Sequence, residues 1–146
     1  MYSGINTAGE LRYFEMPTSQ LVSIKDQAFQ RCINFFKGIS VELTKAFFSQ
    51  VKEIRDMAFS DNRNGFTGGV FITSSVRYLG TSAFYRNNTL KKIYFGSMTD
   101  KVSLDYLELG ATIFNNTTSS ASTIQDVYVY TTDSRSDWDN AFNSNF

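Results

Sequence analysis

The chain has 146 residues, of which 42% are hydrophobic and 16% aromatic, with 14 Phe and 8 Tyr against a single Pro; a disordered polymer is excluded and one folded domain over 1–146 is expected. Fourteen basic and fourteen acidic residues cancel with no long run of either sign, so the electrostatic footprint of a nucleic-acid binder is missing. Histidine is absent and Cys32 is the sole cysteine, which removes His-dependent nucleophile pairs, an intramolecular disulfide and a Cys-based zinc site.

Residues 1–10, MYSGINTAGE, are polar and read as an N-terminal lead or cap. They lack a basic n-region followed by about 7–15 apolar residues, so no secretory signal is expected. No later segment reaches the ~20 apolar residues of a membrane helix, so no membrane insertion is expected. From residue 11 two short patterns alternate. Leu11, Phe14 and Met16 open a pattern of apolar-x-x-apolar-x-apolar, whose last two positions alternate as a short half-buried strand requires. Leu21, Ile24, Ala28 and Phe29 follow as apolar-x-x-Ile/Leu-x-x-x-Ala/Ile-Phe. The strand pattern returns at Phe36, Ile39 and Val41, more loosely at Val70 and Ile72, then at Leu90, Ile93 and Phe95, and finally at Ile124, Val127 and Val129. The second pattern returns at Val51, Ile54, Ala58 and Phe59, at Val76, Leu79, Ala83 and Phe84, and at Tyr106, Leu109, Ile113 and Phe114. The Asn115–Thr123 tract, NNTTSSAST, has loop composition, and 131–146 reads as a C-terminal cap in which Trp138, Ala141 and Phe142 seal the last coil.

The terminal Phe positions, 29, 59, 84 and 114, lie 30, 25 and 30 residues apart. No unit of this length can bury its apolar side alone, so successive coils are expected to stack. Their strands then form one parallel sheet of about five short strands, with short helical or irregular returns. Phe29, Phe59, Phe84 and Phe114 are predicted to form a column on the opposite wall, and the small Ala before the first three rings lets neighbouring coils approach.

Two stretches carry a family resemblance: SVRYLGTSAFYRNNTLKKIYF (75–95) and LVSIKDQAFQRCINFFKGISV (21–41). They resemble BspA-like leucine-rich repeats at Val76, Leu79, Gly80, Ala83, Phe84, Leu90 and Ile93, with Cys32 in a slot where that family often has Cys. The resemblance spans about residues 11–130, and VYVYTTDSRSDWDNAF is similar to the closing strand and short cap of such arrays. Extra residues around 43–49, 61–69 and 96–103 depart from the pattern, as does the scarcity of Pro. The resemblance implies an α/β solenoid of the leucine-rich-repeat type, coiled right-handedly. It also implies surface recognition or adhesion at a cell surface or outside the cell, toward a host protein, another cell or a surface polysaccharide.

On the expected sheet, the position between the two inward residues of each strand points outward, giving Glu15, Ser40, Phe71, Tyr94 and Tyr128 in succession. Phe71, Tyr94 and Tyr128 form an aromatic ladder suited to a peptide, a protein loop or a sugar face, flanked by Lys91, Lys92 and Tyr130. A ladder that only stabilises the sheet is the competing explanation. Asp133, Asp137, Asp139 and Asn140 offer oxygen donors without the spacing of a Ca²⁺ loop, and a solvated cap is the simpler reading. Glu10, Glu15, Glu42, Glu53, Asp56 and Glu108 are scattered and supply no carboxylate pair for glycoside hydrolysis, while Gly65, Gly68 and Gly69 lack the setting of a phosphate loop. Asn-x-Thr sequons begin at Asn87, Asn115 and Asn116. No cofactor and no enzymatic activity are expected. A non-catalytic interaction module is the leading expectation, and the missing export signal keeps a structural phage virion component, docked onto other subunits, as the alternative.

Overall fold

The computed structural model of the chain describes residues 21–115 and 124–143. In chain order its elements are β1 (Ser23–Ile24), α1 (Val41–Phe47), β2 (Glu53–Ile54), β3 (Val70–Ile72), β4 (Tyr78–Leu79), β5 (Lys92–Phe95), β6 (Glu108–Leu109), β7 (Asp126–Val129) and α2 (Arg135–Phe142). The predicted strand at Leu11, Phe14 and Met16 lies outside the described residues.

From β2 onward the chain alternates between two parallel sheets, one ordered β1-β2-β4-β6 and the other β3-β5-β7. Two sheets thus replace the single one of about five strands that the sequence pattern predicts. The extra sheet runs through the segments predicted as helical or irregular returns. Ile24, Ile54, Leu79 and Leu109 align in it, each inside a strand of two residues. So short a strand shows no alternation of its own; the neighbouring layer makes it a strand. The Arg55 N–H donates to the Ile24 carbonyl at 2.9 Å, Gly80 to Ile54 at 2.7 Å and Gly110 to Leu79 at 2.8 Å.

Phe36, Ile39 and Val41 do not form their predicted strand. Gly38 turns the chain at φ 77°, and Ser40 caps α1, its hydroxyl accepting the Leu43 N–H at 3.2 Å. A capped run of good helix formers outweighs three apolar positions with strand spacing. The helix packs beside β3, where Thr44 Oγ1 accepts the Phe71 N–H at 3.0 Å. An edge bond that another strand would have taken is satisfied by a side chain.

The core lies between the sheets and the turns that follow the four-stranded one. Phe29, Phe59, Phe84 and Phe114 form the predicted column, with successive ring centroids 5.3, 5.1 and 5.7 Å apart and interplanar angles of 4°, 11° and 16°. Backbone bonds join the same layers, Phe29 N–H to the Ala58 carbonyl, Phe59 to Ala83 and Phe84 to Ile113, at 2.8–2.9 Å. Ala58 and Ala83 are fully buried, and their small side chains allow that approach. The segments that depart from the repeat also supply core: Phe48 and Phe66 are fully buried, and Phe66 stacks on Phe36 at 4.5 Å.

Tyr106 leaves its predicted core slot. It is 66% exposed, with the Arg77 guanidinium 5.2 Å from its ring, while Leu107 is buried. A tight turn, in which the Ser103 carbonyl accepts the N–H groups of both Tyr106 and Leu107 at 3.1 Å, swings the leucine inward. At the C-terminal end Ser134 caps α2, accepting the Asp137 N–H at 3.2 Å. Trp138, buried, packs on Phe95 with centroids 5.3 Å apart, and Phe142 on Phe95 at 5.4 Å.

Candidate functional site

The outer face of the three-stranded sheet holds every residue singled out as partner-binding. The register aligns Phe71 with Tyr94 and Tyr94 with Tyr128, and Lys92 with Asp126. Phe71 and Tyr94 stack at 6.3 Å and 12°, Tyr94 and Tyr128 at 4.7 Å and 9°. Beside this row Lys92 Nζ approaches Asp126 at 3.8 Å. On the other side Tyr130 follows the end of β7, its N–H bound to the Phe95 carbonyl at 2.9 Å, opposite Gly96.

The ladder is graded rather than uniformly open. Phe71 is 5% exposed, Tyr94 intermediate, and Tyr128 and Tyr130 are 39% and 37% exposed. The expectation that all three rings face solvent fails at Phe71, because α1 covers that end of the sheet and sets Lys45 Nζ 4.9 Å from the ring centroid. Ser40, expected in the same outward row, caps the helix instead, and Glu15 lies outside the described residues. Lys91 and Lys92 are exposed at the start of β5. Because the rings lie face to face, they offer edges and hydroxyl groups to a ligand, and among the described residues no ring stacks on the outward face of Tyr128.

The aspartates near the C-terminus are engaged by the chain's own donors. Asp133 accepts the Leu104 N–H at 2.7 Å and the Ser103 hydroxyl at 2.9 Å. The Leu104 N–H, more than any other group, holds its carboxyl below the usual carboxylate range. Asp137 accepts the Ser134 hydroxyl at 2.6 Å, and Asp139 pairs with Arg135 at 3.5 Å. These three carboxylates fasten and cap α2. Among the described residues no group of three or more carboxylate or Cys side chains could hold a metal ion.

Two roles escaped sequence reading. Asn62 and Asn87, both buried, clamp consecutive layers: Asn62 Nδ2 donates to the Phe29 and Phe59 carbonyls at 2.9 and 2.8 Å, and Asn87 Nδ2 to those of Phe59 and Phe84 at 2.9 and 2.7 Å. The signal was a polar residue three places after the ring, a slot that Cys32 fills in the preceding layer. As a clamp, Asn87 cannot double as the glycan acceptor its sequon suggests. The other role is the face of the four-stranded sheet, where Ser23, Glu53, Tyr78 and Glu108 align. There burial, then a 3.0 Å bond to Asp56, raises the Tyr78 phenol above its ordinary pKa.

Stacked layers with repeated core positions, joined by Phe and Asn ladders, define a repeat protein. The chain belongs to the BspA type leucine rich repeat region family, whose model matches six copies across residues 6–133. No curated protein and no solved structure matches it. Domains of this family serve generally in protein interactions.

Proposed function

We propose that the chain is a non-catalytic recognition module, a right-handed leucine-rich-repeat solenoid that binds a protein through the outer face of its three-stranded sheet. Phe71 backs the site from beneath α1, and Tyr94, Tyr128, Tyr130 and Lys92 make the contacts. The observation that carries this reading is the exposure of Tyr128 and Tyr130 together beside a half-buried, stacked Tyr94. Tyrosines held rigid by packing, with free hydroxyls, are the residues that concentrate binding energy at protein interfaces. A polysaccharide is the poorer fit, since sugar stacking needs open ring faces and the ladder spends most of its own internally. Family membership favours recognition or adhesion at a surface, BspA-type repeats being often surface-associated. Docking onto other subunits of a virion would use the same rings.

The test is affinity capture followed by mass spectrometry, with the parent chain compared against the double substitution Tyr94→Ser, Tyr128→Ser. Phe71 is left intact because its burial would confuse folding with binding. A protein retained by the parent and lost by the variant, at unchanged circular dichroism, supports the reading. Equal retention refutes it, and the captured protein's identity separates a host-surface target from a virion subunit.

A further inference from the structure

We propose that the outer edge of β7 is a docking site for an extended peptide strand, parallel to β7, with a basic residue followed two positions later by an aromatic one. The inference goes beyond the proposed function: it needs the edge of the sheet and the register of Asp126 and Tyr128, and it does not need a protein bound across the face.

Backbone phase comes first. The N–H groups of Asp126 and Tyr130 donate to the Lys91 and Phe95 carbonyls at 3.1 and 2.9 Å. In a parallel pair, alternate residues turn both backbone groups to the same neighbour. Asp126, Tyr128 and Tyr130 therefore face β5, and the N–H and C=O of Val127 and Val129 face the other way. Among the described residues no strand pairs with that side. A row of open donors and acceptors on an edge strand is a template for another extended backbone.

The room beside that edge decides what enters. A groove of about 370 Å³ separates Val127, Val129 and Thr131 on the strand side from Trp138, Asp139 and Phe142 of α2. Because α2 lies across the end of the core, with Trp138 and Phe142 against Phe95, a second whole stack of layers cannot abut here. A single extended segment fits between strand and helix, one side chain turned to a groove that Val127, Val129, Trp138 and Phe142 share with Asp133, Arg135 and Asp139.

Register then specifies the occupant's outward residues. The aromatic row Phe71, Tyr94, Tyr128 ends in an exposed phenol on whose outer face no ring stacks among the described residues, so the next strand continues it with an aromatic ring. Two residues earlier, Lys92 is followed across the sheet by Asp126, and charge alternation calls for a cation next. The residue between them faces the groove and is apolar. The N–H of the aromatic residue would donate to the Val127 carbonyl, and its carbonyl would accept the Val129 N–H. β5 itself carries this motif as Lys92, Ile93 and Tyr94, so a peptide of residues 90–96, LKKIYFG, is a ready probe.

The experiment is fluorescence anisotropy of the labelled probe against the full chain. Saturable binding is expected, weakened at least tenfold when the probe's tyrosine is N-methylated, because the bond to the Val127 carbonyl is then lost. Asp126→Lys should weaken binding of LKKIYFG and strengthen that of LEEIYFG. Val129→Pro removes an outward-facing N–H without touching a bond to β5, together with a side chain packed against the core, and should abolish binding while a cooperative melting transition persists at lower temperature; if that variant does not fold, the N-methylated probe decides. Absence of saturable binding, equal binding of a scrambled probe, or indifference to N-methylation overturns the proposal. Tyr130→Ser, which alters the face and spares the edge, should leave probe binding unchanged, so failure of the edge and failure of the face are read separately.

Discussion

At the scale of single residues, the layers are held at a spacing that side chains can neither exceed nor undercut. Phe84 is buried between Phe59 and Phe114 and meets Phe48 and Phe66 edge-on. Truncation to Ala removes both flanking stacks and leaves a cavity, so Phe84→Ala should destabilise the fold by about 3–5 kcal/mol, read as a lowered denaturant midpoint. Gly80 presents the opposite constraint. A Cβ there would lie 2.6 Å from the Asp56 nitrogen and the Arg55 carbonyl carbon, both backbone atoms. Gly80→Ala should therefore cost about 1–3 kcal/mol through forced separation of β2 and β4, measured in the same denaturation series. The column was legible in the sequence because a large residue recurs at matched intervals. The Asn62 and Asn87 clamps were not, since their value lies in carbonyls of the previous layer, which spacing along the chain does not reveal.

Among the elements, α2 shows most plainly how a terminal piece is fastened. Asp133 receives the Leu104 N–H and the Ser103 hydroxyl, and its carboxyl titrates below the ordinary range. A depressed folded pKa means the stabilisation is complete above the unfolded value, about 3.9, and is lost as pH falls through the folded one. Acidification below about pH 4 should loosen the segment leading into α2, reported by Trp138 fluorescence. Asp133→Asn should show a flatter acid limb, and an identical limb would discard the assignment. α1 teaches a different lesson. Residues 36–41 carried a strand pattern as convincing as that of 124–129, yet Ser40 and the run behind it made a helix. Local capping chemistry and the side-chain bond from Thr44 to the Phe71 backbone outweighed the pattern, and no inspection of apolar spacing alone would have shown it.

For the molecule as a whole, stacking makes stability a matter of neighbours, and the ends are where neighbours run out. α2 covers Phe95 at one end. Deleting residues 131–146 should expose Phe95, Val127 and Val129 together, producing self-association visible as a shift to larger size in gel filtration; a monomer of unchanged stability would contradict the capping role. The same reasoning explains the candidate site. The aromatic row forms because layers bring Phe71, Tyr94 and Tyr128 into register, but its openness depends on what lies beside each layer. Helix α1 closes one end, and the edge of β7 leaves the other available.

The sequence by itself determined the repeat, its family, the Phe column and the membership of the aromatic row, because residues at matched intervals occupy matched places once coils stack. Only the tertiary structure decided that there are two sheets, that a helix stands where a strand was predicted, and that Phe71 is covered while Tyr128 is not. Each of those outcomes depends on contacts between layers, where hydrogen-bond partners and solvent exposure are set by segments some 25–30 residues away.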